Sequence, residues 1–186
     1  TVNDFCFGES NSAEISGVLG GHFTLIINPD GAIIDSTSGT ISNGTAESIY
    51  TIQYNTLGSL TSCPNSSQEI VEVFPIPDSP NTTSSYNYCF GETTQAITVL
   101  PSELNSSIQW FSDSNLTTLL TESDTYEINP ILGTTTVFVT ETSINNCQST
   151  PTLISQNIFP LPTIFAGDDI ELCYGENITL NGDGGI

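Results

Sequence analysis

Cys6-Phe7-Gly8-Glu9, Cys89-Phe90-Gly91-Glu92 and Cys173-Tyr174-Gly175-Glu176 are three copies of one pattern: a cysteine, an aromatic residue, a glycine and a glutamate. We name this pattern the quartet. Its cysteines recur at spacings of 89 − 6 = 83 and 173 − 89 = 84 residues, and a fixed period of this kind indicates a tandem array of like modules. The period predicts a first repeat at residues 1–76, a second at 77–162 and the truncated start of a third at 163–186. We name these modules one, two and three.

Between the quartets the sequence favours short β-strands. Runs rich in β-branched and aromatic residues alternate with turn signals such as Asn28-Pro29-Asp30-Gly31, and no window sustains the 3.6-residue period of an amphipathic helix. The predicted strands include Ile49–Tyr54, Ile70–Phe74, Ile108–Phe111, Thr134–Thr140 and Leu153–Phe159. We therefore predict an all-β chain of tandem immunoglobulin-like β-sandwich modules, each closed by one disulfide, in an elongated array. Trp110 is the only tryptophan, and we expect it in the core of module two; the alternative is an aromatic residue that binds a ligand.

The five cysteines follow the same period. Cys63 and Cys147 are 84 residues apart, and each follows the quartet cysteine of its module by a similar interval (63 − 6 = 57 and 147 − 89 = 58). This spacing predicts Cys6–Cys63 and Cys89–Cys147 disulfides, with Cys173 unpaired by truncation. Zinc is the alternative, but it requires closely spaced ligand pairs, and the chain has one histidine. Disulfides point to an oxidising compartment.

The joints between modules also repeat. Phe74-Pro75-Ile76-Pro77 corresponds to Phe159-Pro160-Leu161-Pro162. Two prolines in four residues favour an extended backbone, so we expect short, semi-rigid connections.

The charge of the chain excludes several classes of partner. It has no Lys or Arg, against 21 Asp and Glu, for a formal net charge of −21. Nucleic-acid binding depends on cationic side chains that neutralise phosphates, so no nucleic-acid partner is expected. The absence of a long apolar run argues against membrane insertion. Cations are the small partners that such a surface favours.

Catalytic chemistry finds little support in the residues. A Ser-His-Asp triad would need His22, the single histidine, and no G-x-S-x-G motif accompanies it. Carboxylate pairs for glycoside hydrolysis could be drawn from many acidic residues, but nothing nominates two of them. We therefore expect a protein that is not an enzyme and has no catalytic residues.

Calcium is the one cofactor that the sequence suggests. Asp168 and Asp169 lie at the start of module three, and Asp78 lies at the matching joint before module two. Carboxylates from two modules around one Ca²⁺ would stiffen a joint and relieve charge repulsion. The alternative is that these are solvated surface residues, because no EF-hand-type loop is present.

Module two resembles a known family of repeats. Cys89-Phe90-Gly91, the Trp110-Phe111 strand and the closing Cys147-Gln148-Ser149 are similar to the C-x-G, W-[FY] and C-x-S motifs of immunoglobulin-like repeats in large secreted proteins of the Bacteroidetes. Module one looks more like the PKD-like repeats of the same proteins, and Ala166-Gly167-Asp168 is similar to the opening of such a repeat. The resemblance covers nearly the whole chain.

This resemblance implies a function. Such arrays form the stalks of giant cell-surface adhesins, among them the SprB-type gliding-motility adhesin, a substrate of type IX secretion. It implies an extracellular location at the bacterial cell surface, with neighbouring repeats of the same chain as the first partners and surface glycans or other cell-surface proteins as further ones. The alternative is a glycan- or protein-binding β-sandwich module of a secreted multidomain protein.

Overall fold

A computed structural model describes residues 3–9, 11–58 and 63–184. Within those ranges the chain is all-β and has no helix, which confirms the predicted all-β class; the predicted closure of each module by its own disulfide is wrong. No helix in the described part of the chain is therefore long and apolar enough to cross a membrane. The predicted strand segments all lie within strands of the structure.

Module one contains a four-stranded sheet and a small hairpin. The sheet has the order β1-β6-β5-β2, and β3 pairs with β4. The strands are β1 (Phe5–Cys6), β2 (His22–Ile27), β3 (Ile33–Ile34), β4 (Ile41–Ser42), β5 (Ile49–Thr56) and β6 (Asn65–Phe74).

The core of module one lies between these two layers. Alternation along β5 turns Tyr50 and Ile52 inward, where they are fully or almost fully buried. They pack with Phe23 of β2, Ile41 of β4 and Val71 of β6. Each layer therefore buries one face against the other, as a β-sandwich requires.

Module two has the larger sheet. Its order is β10-β9-β12-β13-β7, and β8 pairs with β11 as a second layer. The strands are β7 (Ser85–Cys89), β8 (Ile97–Thr98), β9 (Ser107–Phe111), β10 (Leu119–Glu122), β11 (Thr125–Tyr126), β12 (Gly133–Thr142) and β13 (Thr152–Phe159). In module three β14 (Ile164–Phe165) pairs with β15 (Asp183–Gly184).

Trp110 occupies the centre of the second core. Its side chain is 0% exposed, its ring stacks on Tyr126 with centroids 5.3 Å apart, and its indole N–H donates to the carbonyl of Ser123 at 2.8 Å. That hydrogen bond satisfies the one polar group of a buried indole. Trp110 therefore joins β9 to the opposite layer, where Tyr126 and Ile97 contact the same cluster.

In both modules the first strand pairs in parallel with the last. Cys6 stands opposite Phe74 in the β1–β6 register, and Cys89 stands opposite Phe159 in the β7–β13 register. Since β6 and β13 end at the proline joints, both quartets lie beside the exit of their own module. This arrangement fixes where the cysteines can reach.

Candidate functional site

The quartet forms a tight turn at the end of each first strand. The Glu9 N–H donates to the Cys6 carbonyl at 3.0 Å, and the Glu92 N–H donates to the Cys89 carbonyl at 3.0 Å. The glycine at the third position has a φ of 82° in the first quartet and 89° in the second, which a type II turn requires. The recurrent Gly-Glu of the sequence is therefore a structural feature of the turn.

In the second and third quartets the glutamate also braces its own turn. The carboxylate of Glu92 accepts the Cys89 N–H at 2.6 Å, and Glu176 accepts the Cys173 N–H at 3.1 Å. These bonds give the backbone N–H of each cysteine a side-chain acceptor. The turn therefore presents its cysteine at a fixed place beside the module exit.

A turn of module two presents the other cysteine, Cys147. Cys147 lies in the turn between β12 and β13, where the Ser143 N–H donates to its carbonyl at 2.9 Å and the Ser143 hydroxyl accepts its N–H at 3.2 Å. Asn146 has a φ of 63°, a left-handed conformation that asparagine tolerates better than most residues. This hairpin points back toward module one.

Glu141 fixes the base of that hairpin. Its side chain is 1% exposed, and its carboxylate accepts the backbone N–H groups of Ser102 and Glu103 and the hydroxyl of Ser106. Its own backbone exchanges hydrogen bonds with Ser149. Burial raises the pKa of Glu141, but these donors, led by Ser106, outweigh burial and leave the pKa below its usual value.

The two cysteines meet at the joint between the modules. Cys6 of module one and Cys147 of module two form a disulfide with a Cα–Cα distance of 5.5 Å, across 141 residues of sequence. Both are buried, at 6% and 0% exposure. Closing a loop of that length stabilises the folded state by about 5 kcal/mol in the chain-entropy account. The joint is thus a covalent link between two sandwiches.

The predicted Cys6–Cys63 bridge does not form in module one. Cys6 stands beside Phe74, at the end of β6, whereas Cys63 precedes Asn65, at the start of β6. A ten-residue strand spans about 30 Å, and a disulfide needs Cα atoms within about 7 Å. The two cysteines therefore lie at opposite ends of the module.

The same geometry rules out the predicted Cys89–Cys147 bridge. Cys89 stands beside Phe159 at the end of β13, while Cys147 precedes Thr152 at its start. Eight residues of strand separate them by about 23 Å. Cys63, Cys89 and Cys173 are exposed and unpaired. The bridge in the described part of the chain therefore spans two modules instead of closing one.

The joint segment itself is pinned to module two. The hydroxyl of Thr152 donates to the carbonyl of Pro80 at 2.7 Å, and the hydroxyls of Ser79 and Thr150 are 2.5 Å apart. Pro77 and Pro80 are buried. The joint is therefore attached at several points near the turn that presents Cys147.

A second ordered carboxylate lies inside module one. Asp30 accepts hydrogen bonds from the hydroxyl of Tyr50 at 2.5 Å, from the N–H and hydroxyl of Thr45 at 2.7 and 2.8 Å, and from the hydroxyl of Ser48 at 2.9 Å. The bond from Tyr50 leads these donors, and together they hold the pKa of Asp30 far below its usual value against the opposing effect of desolvation. Asp30 links the turn at residue 30 to β5 and is a structural group.

The remaining predicted residues are not brought together. Asp78, Asp168 and Asp169 are exposed, and within the described ranges no three His, Cys, Asp or Glu residues form a group that could hold a metal ion. His22 begins β2 with an exposed side chain, opposite Asn55.

One family model matches the second module. Residues 77–160 match the model of a family described as Ig-like domain, CHU_C associated. Module two resembles an Ig-like domain of this family. No curated protein sequence matches the chain.

Two solved structures are similar over most of the chain. The fibronectin(III)-like modules of Clostridium thermocellum CbhA share 17% identity at a TM-score of 0.45, covering 86% of this chain and 94% of theirs. Drosophila N-cadherin EC1-4 shares 10% identity at a TM-score of 0.28, covering 97% of this chain and 56% of its own.

Proposed function

We propose that this chain is a structural segment of a large bacterial cell-surface adhesin or surface filament, exported to the outside of the cell. The observation that carries the proposal is the Cys6–Cys147 disulfide between two sandwich modules. A bridge across a joint fixes the orientation of consecutive modules, whereas a bridge within a module would leave the joint free to bend. A stalk needs modules that keep a fixed orientation to one another.

The composition supports the same role. With 21 acidic residues and no Lys or Arg, the surface of each module repels its neighbours on adjacent filaments. The disulfide needs an oxidising compartment, which fits a location at the bacterial cell surface. We extend the proposal to attachment or gliding motility, because the repeats resemble those of Bacteroidetes adhesins exported by type IX secretion. We assign no catalytic role.

Small-angle scattering of the oxidised chain tests the stalk proposal. Two modules of about 85 residues with centres about 40 Å apart would have a radius of gyration of about 23 Å, while one compact globule of this length would have about 16 Å. We expect the larger value, and it should persist at high salt, because the bridge and not charge repulsion sets the separation. A value near 16 Å would overturn the proposal.

A second candidate function is recognition of a glycan or a protein by module one. An open groove of about 530 Å³ lies between residues 14–18 and the β5–β6 hairpin, and Phe23, Tyr54 and Leu57 line part of it. Phe23 is buried in the core, but Tyr54 is half-buried and Leu57 is exposed, so an apolar face of a ligand could contact these two side chains, which favours this candidate. Binding to a panel of bacterial surface glycans tests it: a Leu57→Ser variant should lose the signal, and no binding by the parent chain would remove the candidate.

A further inference from the structure

Cys89 occupies in module two the place that Cys6 occupies in module one. Each ends a first strand, stands opposite the last phenylalanine of its module and opens a quartet turn. The following residue repeats the match, since the Phe7 N–H donates to the Phe74 carbonyl at 2.9 Å and the Phe90 N–H donates to the Phe159 carbonyl at 2.8 Å. The two cysteines are therefore structural equivalents at successive joints.

Cys63 is likewise the equivalent of Cys147. Each lies between the two long antiparallel strands that end its module: Cys63 lies between β5 and β6, and Cys147 between β12 and β13. Because the Cys147 end of β13 meets the preceding module, the Cys63 end of β6 lies at the corresponding end of module one. The state of the sulfur differs: Cys147 is bonded and buried, while Cys63 and Cys89 are exposed thiols.

We propose that Cys63 and Cys89 each form a bridge of the same kind as Cys6–Cys147, with two different neighbouring modules. In this scheme every quartet cysteine pairs with the cysteine between the last two strands of the next module along the chain. Cys89 bonds to the equivalent of Cys147 in a module that follows residues 77–162. Cys63 bonds to the quartet cysteine of a module that precedes residues 1–76. Successive loops then overlap, because the loop opened at Cys89 begins inside the loop that spans Cys6 to Cys147. This deepens the proposed stalk function and rests on it.

The bond forms by thiol–disulfide exchange. The two cysteine thiols lose two protons and two electrons, and a disulfide donor such as oxidised glutathione takes them up and leaves as two thiols. The Cys89 half-site is prepared for this step, since Glu92 and the quartet turn hold its backbone in place before a partner arrives. The partner is a protein module of the same kind.

The test extends the chain with its own module. A second copy of residues 78–162 is placed between residues 162 and 163, so that Asp78 follows Pro162 as it follows Pro77. The added copy carries Ile144→Val as a mass tag and Cys89→Ser, so that every Cys89 peptide comes from the original module. The protein is oxidised with a glutathione redox buffer and cut after Asp and Glu, because trypsin has no Lys or Arg site. We expect the Cys89 peptide linked to the tagged Cys147 peptide, beside the original Cys6–Cys147 link.

The matched control carries Cys147→Ser in the added copy alone. In that variant the Cys89 thiol should return to full reactivity with a thiol reagent, while Cys6–Cys147 remains. Mixing heavy-isotope and ordinary chains before oxidation separates the two sources of partner: links within one chain support the proposal, and links between chains contradict it. A Cys89 thiol left free in the extended chain, or a bond from Cys89 to the untagged Cys147, also overturns it. Neither outcome alters the scattering result, so the stalk proposal is judged separately.

Discussion

The Cys6–Cys147 bridge should withhold most of the chain from stretching. It spans 141 residues, and an extended chain covers about 3.4 Å per residue, so the bridge removes about 480 Å of contour length. When both ends are pulled, the oxidised chain should therefore reach a final length about 480 Å shorter than a Cys147→Ser variant. The reason is covalent: residues 7–146 form a closed loop that tension does not enter.

Single-molecule force spectroscopy measures this directly, with handles attached through peptide tags because three cysteines are unpaired. Adding a reductant at constant high force should release one step of about 480 Å. A Cys89→Ser chain is the control and should behave as the parent.

Two outcomes would refute the reasoning. An oxidised parent chain that stretches as far as Cys147→Ser would show that the bridge is absent. Two reduction steps of about 200 Å each would show loops of 57 and 58 residues, and hence bridges closed within modules.

Four further results are expected. Asp30→Asn should destabilise module one by about 1–3 kcal/mol in urea melts at pH 7, because an ionised acceptor of several donors is lost; an unchanged midpoint would contradict its structural role. Glu141→Gln should lower the free energy of unfolding by a similar amount at neutral pH. Because folding lowers the pKa of Glu141, its contribution to stability is complete above the unfolded pKa and is lost as pH falls through the folded pKa. The unfolding free energies of parent and variant should therefore converge in acid and not in base. Trp110→Ala should cost about 3–5 kcal/mol, and in the parent tryptophan fluorescence should follow the unfolding of module two alone. Millimolar calcium should raise the melting temperature relative to a chelator if the joints bind it, and equal melting temperatures would count against the three candidate ligands, Asp78, Asp168 and Asp169.

The sequence predicts the fold well because strands leave a local signal. The amino-acid sequence itself shows the alternation that buries Tyr50 and Ile52, and it places Ile108 and Trp110 on one face of a strand. The quartet is also readable, since a glycine at the third position of a tight turn has a local steric reason. These features depend on neighbours a few residues apart.

The cysteine pairing could not be read in the same way. The period shows that Cys63 is equivalent to Cys147 and that Cys6 is equivalent to Cys89, but it does not show which module supplies the partner. That depends on the parallel pairing of β1 with β6, which carries the quartet to the exit of the module. A parallel contact between the first and last strands is non-local and leaves no spacing signal.

The sequence does not single out the two ordered carboxylates, for a related reason. Asp30 reads as a turn residue, and the donors that distinguish it come from positions 15 to 20 residues away. Glu141 lies in a strand and reads as one acidic residue among 21. Its partners lie 35 to 39 residues earlier, so the fold, not the sequence, identifies it.

Strand β13 acquires a particular role from the position of Cys147. Between the bridge and the next joint, the chain runs through Thr152–Phe159, a strand already extended at about 3.3 Å per residue, close to the limit of a polypeptide. Tension therefore passes through the two sulfurs and β13, and this segment can lengthen very little. The rest of module two is attached beside β13 through β12 and β7 and lies in parallel with the path, not in series. In such a chain β13 carries the tension and the rest of the sandwich packs around it. Unfolding of that remaining part of module two adds little length to the chain.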